Sequence, residues 1–310
     1  MSRVHSAAAQ YPIGYFDRFE QFAAKLSDWV ERGVEAGAQL LVFPEYAAME
    51  LASLFETEVQ RSLPRQLQAM QDLLPDFLEI HQTLARRHGV HILAGSFPVR
   101  EEDGRYVNRA HLFAPSGALG HQDKCIMTRF EDEQWGISPG SRLRLFDTAI
   151  GRRGITICYD VEFPLLARVL AEAGADLILA PSCTDTLAGY YRVRIGAQAR
   201  ALENQCHVVQ AVTVGAAEWS EAVDVNVGAA ALYGPVDVGF PDDGIVSMGE
   251  LNRPGWVARP GCSGRNGCAA PVRYSISTTG AIRRCLPRSR PSICEFVVGR
   301  HCHHDGHPLW

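Results

Sequence analysis

Lysine is nearly missing from this sequence of 310 residues. Of its 30 basic residues only Lys25 and Lys124 are lysines, so arginine supplies almost all of the positive charge. A lysine that persists against such a bias is a candidate for work that a guanidinium cannot do, being too bulky for it or unable to release a proton. Lys25 falls within a helical pattern and is expected at the surface; Lys124 lies in a segment bounded by turn residues. A basic excess is missing too: the net charge of -5 gives no electrostatic reason to expect nucleic acid or an anionic membrane as partner. No run approaches the ~20 apolar residues of a membrane span, and MSRVHSAAAQYPIGYF lacks a basic segment followed by a continuous apolar one. The expectation is a cytoplasmic protein with a small, uncharged or weakly charged substrate. Close cysteine pairs are also lacking. The nine cysteines are an odd number, and Cys125, Cys158, Cys183 and Cys206 show no C-x-x-C spacing, so they read as free thiols.

What is present, from residue 3 to about 214, is an alternation of short apolar runs with amphipathic stretches, the pattern of an α/β protein. VHSAAAQ reads as a first strand. Phe19, Phe22, Leu26, Trp29, Val30 and Val34 fall at helical spacing, and Gly37 suits the stop. AQLLVFPEY reads as a buried strand that breaks at Pro44, residues 63 to 88 as one long helix, and VHILAGSFPV as a strand. RYVNRAHLFAPSGALG suggests a hairpin, and LRLFDTAIGRRGITICYD two strands across a Gly-Arg-Arg-Gly turn. Residues 164 to 173 and 190 to 204 read as helices, DLILAPS and HVVQAVTVG as strands. Beyond about residue 256 the text becomes rich in arginine, cysteine and proline with neither period, which divides the chain into a domain over 1–256 and an irregular tail over 257–310.

Two residues emerge at ends of predicted strands, and a third lies in a segment bounded by turn residues. GITICYDVEFP delivers Cys158 from an apolar strand into a turn followed by a helix, where backbone N–H groups can face a developing oxyanion. A lone cysteine there is more often a small core residue, so it needs partners to be a nucleophile. Glu45 follows a buried strand and Pro44, between apolar neighbours that would raise its pKa and suit proton transfer. Lys124 precedes two acids, Glu131 and Glu133. Taken singly, Glu45 and Lys124 read as loop charges.

Together, FPEYA around Glu45, the Asp123-Lys124 pair and GITICYDVEFP around Cys158 resemble the nitrilase superfamily of carbon–nitrogen hydrolases, in the same chain order of Glu, Lys, Cys. EQWGISPG, GADLILAPS and ARALENQCHVVQAV extend the resemblance from residue 3 to about 250. It implies a four-layer αββα sandwich that forms a homodimer or higher homo-oligomer. It also implies hydrolysis of a linear amide or N-carbamoyl compound through a thioester on Cys158, with Glu45 moving the proton. Lys124 and the backbone N–H of Tyr159 would stabilise the oxyanion, and neither metal nor organic cofactor is required. Glu133 is expected as the second glutamate, because its distance to Pro139-Gly140 fits the family pattern, with Glu131 as the alternative. CYDVEFP resembles the amidase and carbamoylase branches, whereas nitrile-cleaving members usually carry Cys-Trp-Glu. Nitrile hydrolysis by the same site, or a non-catalytic binding module, are the competing readings.

Other features carry blander expectations. Asp160 and Glu162 flank the elbow and read as structural. Arg192, Arg194 and Arg200 read as ion-pairing or interface residues on a helix. The HCHHDGH run at 301–307 has metal-ligating residue types but no regular scaffold to fix a geometry.

Overall fold

The computed structural model describes residues 4–258 and, as backbone, residues 293–297. β1 (Ser6–Pro12) leads into α1 (Phe19–Glu35), β2 (Leu40–Val42), α2 (Thr57–Gln60), α3 (Leu63–Met70) and α4 (Leu74–His88). Then come β3 (His91–Arg100), β4 (Tyr106–Phe113), β5 (Leu119–Asp123), β6 (Ile137–Ser138), β7 (Arg142–Thr148) and β8 (Gly151–Ile155). α5 (Pro164–Glu172), β9 (Leu177–Ser182), α6 (Leu187–Asn204) and β10 (His207–Ala216) follow, with β11 (Val225–Asn226), β12 (Ala231–Tyr233), β13 (Ile245–Met248), β14 (Gly255–Ala258) and β15 (Ile293–Val297) last.

Hydrogen bonding runs through the strands in the order β15-β7-β8-β9-β10-β1-β2-β3-β4-β5. From β8 to β3 the neighbours are parallel. Parallel neighbours need crossover connections, and their strands are buried on both faces, which is why β2 (LLV) and β9 (LILAPS) are apolar runs without alternation. β3, β4 and β5 form antiparallel hairpins, as RYVNRAHLFAPSGALG suggested.

Strand alternation sorts the core into layers. Ala7 and Ala9 of β1 join Leu26, Trp29 and Val30 of α1 and Phe77 and Leu84 of α4. Ala8, between them, joins Val209 of β10, Ala180 of β9 and Val193 and Ala197 of α6. Helices α1 and α4 therefore cover one apolar layer and α5 and α6 another, in the αββα arrangement. The segment 63–88 is not one helix: a tight turn at Gln71–Leu73 separates α3 from α4, one residue before Pro75. A proline ring cannot be accommodated inside a continuous helix, but suits the first turn of a new one.

The division at residue 256 is shifted by β14, which pairs antiparallel with β1 and brings Val257 opposite Ala8 and Ala258 opposite Ala7. Within the segment expected to be irregular, β15 pairs antiparallel with β7, from Ile293 opposite Phe146 to Val297 opposite Arg142. It covers an edge whose backbone groups would otherwise lack partners. The HCHHDGH run lies outside the described residues.

Candidate active site

β2 ends at Val42 and the chain turns through Pro44 into Glu45 and Tyr46, the latter held in the left-handed region at φ 55°. The turn rests on a bulge in β3. Gly95 has φ 74°, and a Cβ there would meet the Pro44 carbonyl oxygen well inside contact distance, so no other residue fits. The next residue, Ser96, accepts the Tyr46 N–H on its hydroxyl at 3.0 Å. Lys124 follows β5, its N–H bonded to the Asn108 carbonyl and its carbonyl accepting the Gly140 N–H at 2.7 Å. A side chain at Gly140 would clash with Asp123, so the Pro139-Gly140 pair shapes the backbone that carries Lys124.

Cys158 sits after β8 at φ 48°, a left-handed conformation that costs a non-glycine residue energy. Asp160 holds the elbow in place. Its carboxylate accepts the N–H groups of Ile157 (3.0 Å), Cys125 (3.1 Å) and Ile126 (2.8 Å), tying the Cys158 turn to the residues just after Lys124. Asp160 is thus structural, as expected. Glu162 pairs with Arg192 at 3.3 Å, and Arg200 with Glu203 at 3.1 Å. Tyr159 is the second residue of the helical turn Cys158–Glu162, where a helix supplies its first N–H groups with no acceptor of its own.

These elements bring Glu45, Lys124 and Cys158 together, each no more than 4% exposed. Lys124 Nζ lies 2.8 Å from Glu45 Oε1 and 2.6 Å from Glu131 Oε2. The Cys158 thiol donates to the Cys183 carbonyl oxygen at 3.5 Å, and the Glu45 carboxylate is near enough to act on it electrostatically. The Cys183 N–H in turn donates to Glu45 Oε2 at 3.0 Å.

The second glutamate in this cluster is Glu131. Glu133 does not reach it: its side chain is half exposed and paired with Arg129 at 2.7 Å, one helical turn back. Glu131 is turned inward by a capping box, in which the Thr128 N–H donates to Glu131 Oε2 at 3.0 Å and the Glu131 N–H to Thr128 Oγ1 at 3.3 Å. Trp135, buried one turn later, packs against the Tyr46 ring at 4.6 Å and anchors the same face. The signal was in the sequence as Thr128-x-x-Glu131, whereas spacing to Pro139-Gly140 pointed two residues too far. The expected surface position of Lys25 is also corrected. Its ammonium is largely buried, 2.5 Å from Glu50 Oε2 and 4.0 Å from the centre of the Tyr11 ring.

The electrostatics divide the two carboxylates. Burial would raise the pKa of Glu131, but Lys124, the Thr128 N–H and the Tyr46 hydroxyl (2.7 Å) overcome it and hold the group below the ordinary carboxylate range. For Glu45 burial prevails over the pull of Lys124, with the neighbouring Glu131 charge adding to it, and its pKa is raised. Burial, reinforced by Glu45, pushes the Cys158 thiol well above its usual value despite Lys124. Burial alone would lower Lys124, yet Glu131 and Glu45 keep it well above the ordinary lysine range. The site therefore holds a fixed anion (Glu131), a fixed cation (Lys124), a neutral thiol and one carboxyl group able to carry a proton. Opposed proton affinities in adjacent carboxylates are what separates an acid–base group from an electrostatic one.

No helix among the described residues is long and apolar enough to cross a membrane. Among the same residues no three or more His, Cys, Asp or Glu side chains gather as a metal ion would need.

The carbon–nitrogen hydrolase family model matches residues 6–238. The probable hydrolase YhcX of Bacillus subtilis is 38% identical over 249 residues, covering 80% of this chain and 47% of that protein. The deaminated glutathione amidase of Yersinia enterocolitica is 36% identical over 143 residues, 43% of this chain and 50% of its own. Omega-amidase NIT2-B of Xenopus laevis is 26% identical over 191 residues, 59% of this chain and 65% of its own. This chain thus spans about half to two thirds of the length of these relatives. Among solved structures, Saccharomyces cerevisiae Nit3, of the nitrilase superfamily, superposes with a TM-score of 0.65 at 20% identity, over 82% of this chain and 88% of that one. An amidase from Nesterenkonia sp. superposes with a TM-score of 0.63 at 22% identity, over 83% and 89%. At those identities the likeness concerns the fold, a nitrilase-type αββα sandwich. With the family match extending over most of the described residues, the chain belongs to the carbon–nitrogen hydrolase family.

Proposed function

We propose that the chain hydrolyses a small, non-peptide amide or N-carbamoyl compound through a thioester on Cys158. The observation that carries this reading is the convergence of Glu45, Lys124 and Cys158 in one buried cluster, in which burial raises the proton affinity of Glu45. At rest the thiol keeps its proton. As the sulfur attacks the carbonyl carbon, Glu45 accepts that proton, and the negative charge gathers on the former carbonyl oxygen. Two of the three Lys124 donors are engaged by carboxylates, which leaves a third for the oxyanion, together with the Tyr159 N–H. Collapse breaks the carbon–nitrogen bond, and Glu45 gives its proton to the departing amine. Glu45 then deprotonates the water that attacks the thioester, and returns that proton to the sulfur as the acid leaves. Glu131 keeps Lys124 charged throughout.

The elbow text CYDVEFP and the amidase relatives favour amides over nitriles. In a glutamate-to-glutamine mutant of the Nesterenkonia amidase, acrylamide has added to the active-site cysteine, which supports placing the nucleophile at the same type of residue here. The test is ammonia or amine release from short aliphatic amides, ω-amides of dicarboxylates, N-carbamoyl compounds and nitriles, with Cys158→Ala as control. Cys158→Ala activity within about tenfold of the parent overturns the assignment. Cys158→Ser is expected to be nearly as damaging, since a hydroxyl is far harder to deprotonate.

We further propose a homodimer. Leu187, Tyr191, Ile195 and Leu202 are exposed along α6, with Leu165 exposed on neighbouring α5, an apolar stripe at helical spacing that a second copy would cover. The cytoplasm is the proposed compartment, supported by four free thiols at Cys125, Cys158, Cys183 and Cys206.

A further inference from the structure

Asn108 lies on β4 with no exposed surface. Its side-chain nitrogen is 2.8 Å from Glu45 Oε1 and 3.2 Å from Glu131 Oε1. Its main-chain carbonyl accepts the Lys124 N–H at 2.9 Å. A single uncharged residue thus touches both carboxylates of the cluster and the backbone that carries the Lys124 ammonium. Glu45 is faced by Lys124 from the end of β5, Glu131 from the turn after it, Cys158 from the elbow and Cys183 from the end of β9, while its neighbour Tyr46 donates to Glu131. Two carboxylates around one ammonium carry more negative charge than it neutralises. Left to themselves, carboxylates this close tend to hold one proton in common. A shared proton would be useless here, because Glu45 must be free to take one from Cys158.

We propose that Asn108 is a positioning residue that gives one amide hydrogen to each glutamate, separating Glu45 from Glu131 and holding Glu45 toward Cys158. An amide nitrogen suits this role because it offers two hydrogens in a fixed plane and brings no charge. A lysine or arginine would neutralise the cluster, and a carboxylate would add to the repulsion. The inference rests on the reading of Glu45 and Cys158 as base and nucleophile.

The experiment follows iodoacetamide labelling of Cys158 by peptide mass spectrometry across about pH 4 to 9. The parent, Asn108→Leu and Asn108→Ser are compared, alongside thermal melts and ammonia release from the amide panel. Both variants remove the two-donor fork, so ionised Glu45 loses support. The acid-side midpoint of labelling is expected to move up by about one pH unit while the melts stay cooperative. A midpoint that does not move, with labelling slower at every pH, would make Asn108 a packing residue and overturn the proposal. Should Asn108→Leu fail to fold, the smaller Asn108→Ser decides by the same criterion. Labelling requires no turnover: a shifted midpoint in a protein that releases ammonia from no amide sinks the hydrolase reading and leaves the role of Asn108 standing. Amide hydrolysis with an unmoved midpoint does the reverse.

Discussion

The Lys124 ammonium lies 2.6 Å from the Glu131 carboxylate, with both side chains no more than 3% exposed. This pair gives a compact point charge a fixed aim, and a forked guanidinium does not fit the same volume. Lys124→Arg is therefore expected to lower kcat by about 100- to 1,000-fold, as loss of one oxyanion donor does. Lys124→Met leaves two buried carboxylates without their cation, and is expected to cost about 3–5 kcal/mol of stability as well. Steady-state kinetics and denaturant melts of both variants check this. Arginine restoring most of what methionine loses would reduce Lys124 to a source of general positive potential.

Glu131 and Glu133 are separated by the same logic. Glu131→Gln removes the charge that keeps Lys124 protonated and is expected to cut kcat by at least about 100-fold. Glu133→Gln touches only the exposed Arg129 and is expected to leave kcat/KM within about twofold. Parallel kinetics on the two decide between them, and equal losses would contradict the placement.

The acid limb of kcat/KM is assigned to Glu45, which must be ionised to receive the thiol proton. Because burial raises its pKa, activity is expected to fall as pH drops through a midpoint above the ordinary glutamate value. Glu45→Gln should abolish turnover at every pH without moving the melting temperature downward by more than a few degrees. A pH–rate profile with an acid midpoint at or below the ordinary glutamate value would argue against Glu45 as the base.

Stability has its own pH dependence through His81, buried between Phe77 and Phe113 with Nδ1 2.7 Å from the Phe77 carbonyl. Burial lowers its pKa from 6.5 to about 4. The unfolded chain binds the proton first, so this contribution is complete above pH 6.5 and is lost as pH falls from there toward 4. The expected slope from this one group is about 1.4 kcal/mol per pH unit within that window. Denaturant melts of the parent and His81→Phe measure it by difference, and identical slopes would show that His81 does not stay neutral in the fold.

Ile195→Arg tests the proposed dimer. In a two-fold interface both subunits contribute the same surface, so one change introduces two charges into the buried patch. Sedimentation is expected to report monomer for this variant and dimer for the parent. Dimers in both would move the interface elsewhere.

Much of this was legible in the sequence, because strands buried on both faces leave unbroken apolar runs and the residues of the buried cluster sit where those runs end. Glu45 after LLVFP and Cys158 after GITI are found that way, and their order with Lys124 did the rest. Glu131 was passed over for a physical reason: in a short irregular helix, the residue that faces inward depends on where the helix starts, and Thr128 sets that start. Lys25 was misplaced because a helical position says nothing of the partner waiting on another element, here Glu50. Pro75 marked the break between α3 and α4, but a proline in the first turn of a new helix looks the same, at a distance, as one carried by a longer helix. Nothing in the composition of 257–310 announced β15, whose pairing depends on the edge that β7 presents.

Glu45 and the Cys158 thiol are both met by the main chain of Cys183, not by its side chain: the N–H meets Glu45 and the carbonyl meets the thiol. The side chain itself turns to Asn226. The side chain at 183 can therefore be exchanged during divergence while the main-chain contacts to Glu45 and Cys158 are kept. Proline, which has no N–H to give, is the one substitution that this freedom forbids.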